Sequence, residues 1–116
     1  MTYSDETGNA KIENTFLGRE DHGIMTFMLN LAGDGSRQGF GTYSMDTYNG
    51  KKRVPTLFGM AIIMGILDTL EVDSWEKLKG QLVRYKRVSG MIVAIGHIYK
   101  EKWFNIKELY EEYKDN

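Results

Sequence analysis

Pro55-Thr56-Leu57-Phe58-Gly59-Met60-Ala61-Ile62-Ile63-Met64-Gly65-Ile66-Leu67-Asp68-Thr69-Leu70 is the stretch on which the reading of this 116-residue chain turns. Pro55 suits the first turn of a helix, where a missing N–H leaves nothing unsatisfied. Thr56 to Leu70 then has helical length and composition, although Gly59 and Gly65 each cost about 1 kcal/mol relative to alanine. From Leu57 to Leu67 no side chain is strongly polar. A helix with no solvated stripe is expected to be covered on every side. One sheet in so short a chain covers only part of it, so a second subunit is expected to cover the rest. The stretch is well short of the roughly 20 apolar residues that span a bilayer.

On the amino-terminal side, alternation through Ile12, Asn14 and Phe16 predicts a strand ending near Glu20. Asp21-His22-Gly23 is turn chemistry, and Ile24 to Leu31 predicts the returning strand of a hairpin over 12–31. Residues 1–10 have no apolar periodicity and read as a mobile arm. Gln38 to Met45 alternates like a strand but carries Gly39 and Gly41 on one face, a pattern that marks a bulge or a close approach by another backbone or a ligand. Thr47 to Arg53 is a basic connection turning at Asn49-Gly50.

On the carboxyl-terminal side, Asp73-Ser74-Trp75-Glu76 reads as a capping box, with Asp73 as N-cap of a short helix ending at Gly80. Gln81–Val88 and Met91–Tyr99 predict a second hairpin around Ser89-Gly90, with Met91 to Ile95 as a central strand covered on both faces. Asn105 caps a charged final helix, Ile106 to Tyr113, whose stripe is Ile106, Leu109, Tyr110 and Tyr113. Hairpins segregated around one crossover helix indicate an α+β fold. The expected architecture is a mostly antiparallel sheet of two hairpins plus one strand, packed on one long apolar helix, with a short helix and a C-terminal helix. In domain terms this is an arm at 1–10, a single α+β domain at 11–104 and the C-terminal helix at 105–116.

The chain has no cysteine, which excludes a disulfide scaffold, a zinc ribbon and a thiol nucleophile. MTYSDETGNA does not read as a secretion signal, so a cytoplasmic location is expected, with no membrane partner. A net charge of −1 leaves no global field to drive bulk nucleic-acid binding. That balance is an average: residues 51–70 carry three cations against one anion and residues 71–100 six against three, between acidic ends. Arg84 and Lys86 share one strand face, Tyr85 and Arg87 the other. The basic middle suits a small phosphorylated ligand, or else is a solvated strand edge guarded by charge.

Glu20-Asp21-His22 reads as a solvated hairpin tip, because adjacent side chains on a strand or turn do not converge on one metal. His97 has no serine or cysteine partner at recognisable spacing and reads as a hydrogen-bonded strand histidine. Gly33-Asp34-Gly35-Ser36-Arg37-Gln38 fails the dinucleotide-binding fingerprint at its third glycine and opens no helix. Two readings remain for Gly33–Gly41: a plain connection with a bulge, or flexible backbone holding a phosphate beside Arg37 and Phe40. No cofactor or metal is expected.

The segments Gly18-Arg19-Glu20-Asp21-His22-Gly23-Ile24-Met25-Thr26, Gly39-Phe40-Gly41-Thr42-Tyr43 and Ser74-Trp75-Glu76-Lys77-Leu78-Lys79-Gly80 together resemble a family of short proteins encoded by tailed phages and prophages. The resemblance covers about residues 11–104. It implies a viral accessory gene, and small proteins of that kind are often inhibitors of host defence. Two mechanisms follow: an oligomeric sponge that sequesters an immune nucleotide of the cyclic nucleotide or cyclic ADP-ribose type, or a protein that blocks an effector such as a CRISPR nuclease by contact. The leading expectation is a homo-oligomeric binding protein without catalysis, with a protein–protein inhibitor second and a nucleotide-processing enzyme third. Arg19, Arg37, Arg53 and Arg84 are the expected phosphate contacts. Phe40, Tyr43 or Trp103 would stack a base, and Gly39 and Gly41 would admit close approach.

Overall fold

The computed structural model describes residues 5–33 and 35–115. The alternating segment folds as two antiparallel strands, β1 (Glu6–Arg19) and β2 (Met25–Gly33), reversing through Asp21-His22-Gly23, where Gly23 takes φ +79°. β3 (Ser36–Gly41) pairs with β2. Two short strands, β4 (Asp46–Tyr48) and β5 (Arg53–Pro55), make a separate two-stranded ribbon. After helix α1 (Leu57–Leu70) and a 3-10 turn at Trp75–Lys77, the chain forms β6 (Leu82–Val88), β7 (Met91–His97), β8 (Trp103–Asn105) and helix α2 (Ile106–Tyr113). The large sheet is antiparallel, in the order β3-β2-β1-β6-β7-β8. The fold is therefore α+β, with a mostly antiparallel six-stranded sheet, a small two-stranded sheet and two helices.

β1 joins the two halves of that sheet. Its first part, Glu6–Lys11, pairs with β6, and its second part, Lys11–Arg19, pairs with β2, with a register shift between Ile12 and Asn14. A bulge at that point bends the strand and increases its twist. The mobile arm expected over 1–10 is thus corrected from Glu6 onward. These residues show no apolar alternation because backbone pairing to β6 and the Glu6–Arg87 ion pair, rather than a buried face, hold them. Residues 1–4 of that expected arm lie outside the described residues. The curl brings the sheet edges over one core: Phe40 of β3 meets Phe104 of β8 edge to face, ring centres 6.1 Å apart, and Phe27 meets Phe40 at 5.6 Å.

α1 starts at Leu57, one residue later than the expected Thr56. Pro55 ends β5 opposite Asp46, and Thr56 is the N-cap, its hydroxyl accepting from the Gly59 N–H and donating to the Met45 carbonyl. The helix buries Gly59, Ile62, Ile66, Thr69 and Leu70. Leu57, Met60 and Met64 remain 56–60% exposed, so within this chain the helix is not covered on every side. The short helix ending at Gly80 is only a 3-10 turn. Ser74, not Asp73, is its N-cap and makes no side-chain capping bond, while Asp73 pairs with Lys77 at 2.8 Å. Three residues are too few for a reciprocal box. The Ser89-Gly90 turn (φ +52° and +81°) and the Asn105 cap stand as expected, while β8 is too short to have shown a period.

Gly59 shows why α1 tolerates a poor helix former: a Cβ there would strike the Met45 carbonyl. Gly59→Ala should therefore destabilise the protein by about 1–3 kcal/mol, against the roughly 1 kcal/mol gain that helix propensity alone predicts. The urea-unfolding midpoint reads the sign directly.

Candidate functional site

The β4–β5 ribbon is built by local chemistry. Asn49 Oδ1 accepts from the N–H groups of Lys51 and Lys52 at 2.9 and 3.0 Å, closing the turn. At its base Asp46, whose side chain is 7% exposed, accepts from Arg53 Nε (2.9 Å) and Nη2 (2.8 Å) in a bidentate pair. Asp46 also accepts from the Met25 N–H at 3.2 Å, which ties the ribbon to β2. The Ser44 hydroxyl donates to the Asp46 carbonyl at 2.7 Å. The Arg53 hydrogen bonds hold the Asp46 carboxyl below its ordinary value, more than burial pushes it up, and the same pair raises Arg53.

α2 stands across from the ribbon. Asn105 Oδ1 accepts from the N–H groups of Lys107 and Glu108, Ile106 is buried in the core, and Tyr110 meets Phe58 of α1 edge to face at 5.4 Å. Between ribbon and helix lies an open groove of about 850 Å³. Tyr43, Tyr48, Phe58, Tyr110 and Tyr113 give it aromatic faces. Its cations are Arg53, Lys107 and Lys114; its anions are Asp46, paired with Arg53, and Glu111, paired with Lys114 at 2.6 Å. Such a surface can stack a flat ring, donate hydrogen bonds from phenols and hold a modest negative charge.

Of the residues singled out in the sequence, the fold brings only Tyr43 and Arg53 into this groove. Arg19 donates to the Gly23 carbonyl at the β1–β2 turn (2.9 Å), and Arg37 pairs with Glu13 at 3.1 Å. Phe40 is 1% exposed within the core and has no face to offer a base, which corrects its proposed stacking role. Gly39 and Gly41 do mark a close approach, but by β2: an added Cβ would lie 2.7 Å from Met28 Sδ at Gly39 and would strike the Phe27 carbonyl at Gly41. Arg84 and Trp103 are neighbours, with the guanidinium 4.6 Å and the Lys86 ammonium 4.2 Å from the indole centre. Arg84 directs three of its five N–H groups within the fold, to Glu101 at 2.7 Å and to the carbonyls of His97 and Lys100. That cluster is braced internally and lies outside the groove.

Sequence reasoning missed Tyr48, Tyr110, Lys107 and Lys114 as lining residues. The α2 tyrosines read in the sequence as part of the helix's apolar stripe, yet Tyr110 is half exposed beside the groove. His97 is hydrogen-bonded as expected, its Nδ1 accepting from the N–H groups of Tyr99 and Lys100 at 3.1 Å. Glu20-Asp21-His22 is exposed at a turn, and among the described residues no three His, Asp or Glu side chains converge as metal ligands. Among the described residues no helix is long and apolar enough to cross a membrane. Comparison with known protein families, with curated proteins and with solved structures yields no match.

The Asp46–Arg53 pair carries a pH signature. A carboxyl depressed in the folded state stabilises fully above its ordinary value, near 3.8, and loses that contribution as pH falls through the lower folded value. Asp46→Asn should lower stability at neutral pH by about 1–3 kcal/mol, by weakening a largely buried charge-assisted network. It should also flatten the fall in stability below about pH 4. Urea titrations of both proteins at stepped pH measure both effects.

Proposed function

We propose that this protein is a binding protein without catalysis, a phage accessory factor of the anti-defence type, that sequesters a small immune nucleotide in the groove between the β4–β5 ribbon and α2. The observation that carries this reading is the meeting, in one groove, of aromatic faces with Arg53, Lys107 and Lys114. Stacking on an aromatic side chain is worth about 1–3 kcal/mol per base and tolerates any base. Cations and phenol hydroxyls supply donors for phosphate and ribose oxygens. Sequestration requires protein in excess and tight binding, and no bond is made or broken. The signal and its trap would share the host cytoplasm. Cyclic nucleotides and cyclic ADP-ribose derivatives combine the flat ring and the anion that such a lining fits.

A second reading, inhibition of a host defence protein, is favoured by one feature: Leu57, Met60 and Met64 form an exposed apolar stripe on α1. In our reading a second copy of the chain covers that stripe, so that the apolar helix becomes the seam of a homo-oligomer. Light scattering should give a dimer or larger species, and Met60→Glu should shift it toward monomer. A wild-type monomer that captures a defence effector would favour the inhibitor instead.

Isothermal titration against cyclic mononucleotides, cyclic dinucleotides and ADP-ribose isomers tests the leading reading. Saturable binding to at least one of them is expected, weakened roughly tenfold by Tyr110→Ala. The ligand should be recovered unmodified after the complex is denatured. Heat from none of them sinks the proposal, and recovery of a converted product would make the protein an enzyme.

A further inference from the structure

The charge inventory of the groove narrows its ligand further, on the premise that a nucleotide binds there. Arg53 spends Nε and Nη2 on Asp46, and Lys114 is paired with Glu111. Glu20 is also close enough to raise Arg53. Lys107 has no ion-pair partner among the described residues and is the lining cation whose charge is not already compensated. Arg53 retains Nη1, which makes no hydrogen bond among the described residues, on a guanidinium that Asp46 holds fixed. The side chain keeps 25% of its surface exposed. The lining thus has three cations against two anions, with one positional donor and one free charge.

We infer that the groove selects a nucleotide bearing a single phosphodiester charge over one bearing a polyphosphate, with Lys107 as the counter-charge and Arg53 Nη1 as the orienting donor. A diester carries one negative charge, which Lys107 balances. A triphosphate brings three to four. The surplus would face Asp46 and Glu111, and displacing either from its own partner would break an ion pair to satisfy a ligand. The aromatic lining points the same way. Tyr43, Tyr48, Phe58, Tyr110 and Tyr113 set five aromatic side chains beside three cations, so a ligand rich in ring area per phosphate fits best.

The test is a titration of the full chain with three probes that share one base: 3′,5′-cyclic AMP, AMP and ATP, at low and at physiological ionic strength. Cyclic AMP should bind at least about tenfold more tightly than ATP at physiological salt. Lys107→Gln should weaken cyclic AMP roughly tenfold while leaving the urea midpoint unchanged, because the side chain lies exposed on α2 and braces nothing. ATP binding as tightly as cyclic AMP, or more so, overturns the selectivity while leaving nucleotide binding intact. Undiminished affinity in Lys107→Gln overturns the assignment of its counter-charge. Failure of all three probes overturns this inference, and the wider titration against cyclic dinucleotides and ADP-ribose isomers then decides the nucleotide reading of the groove separately.

Discussion

The bidentate pair between Asp46 and Arg53 is the constraint on which the candidate site depends. β4 and β5 are each three residues long, and a two-stranded ribbon of that size has little stability of its own. Asp46 compensates by bonding in three directions: to Arg53 across the ribbon, to the Met25 N–H on the main sheet and to Ser44 on its own approach. The Met45 carbonyl, one residue before Asp46, receives the Thr56 hydroxyl that also caps α1. Sheet, ribbon and helix are thereby locked at one corner, and Arg53 is fixed in place as part of the same arrangement. A guanidinium held by a carboxylate loses little freedom when it meets a ligand, which is the physical advantage of preorganisation.

The same economy appears in β1. One long strand serves two neighbours by bending at the Ile12–Asn14 register shift, so both hairpins share a single core although they are separated in the chain by α1. The curled sheet then brings Phe40 and Phe104 together from opposite edges. α2 can reach the ribbon because β8 delivers Asn105 to its cap from that curled edge. The groove follows from the curl of the sheet and not from any local motif.

That dependence explains what the sequence could and could not show. Periodicity and turn chemistry exposed the hairpins at Asp21-His22-Gly23 and Ser89-Gly90, the α1 segment and the Asn105 cap, all of which are encoded within a few residues. The strand at Glu6–Ala10 was hidden because its partner, β6, lies more than seventy residues away and it buries little besides Ala10. Phe40 looked like a stacking residue because a flanking glycine implies open backbone. The open side is filled by Phe27 and Met28 of β2, which only the pairing reveals. Arg84 and Trp103 read as basic and aromatic candidates, and the fold stacks them on each other and turns Arg84 toward Glu101, His97 and Lys100. Tyr43 and Arg53 were legible as candidates; Lys107 and Tyr110 were not, since nothing local links α2 to the ribbon.

The most direct test of the account is chemical-shift mapping on ¹⁵N-labelled protein titrated with 3′,5′-cyclic AMP. The predicted perturbations fall on Ser44–Arg53 and on Ile106–Lys114, the two walls of the groove, with the sheet around Arg84 and Trp103 undisturbed. Shifts centred on Arg84, Lys86 and Trp103, or no shifts at saturating nucleotide, would contradict it.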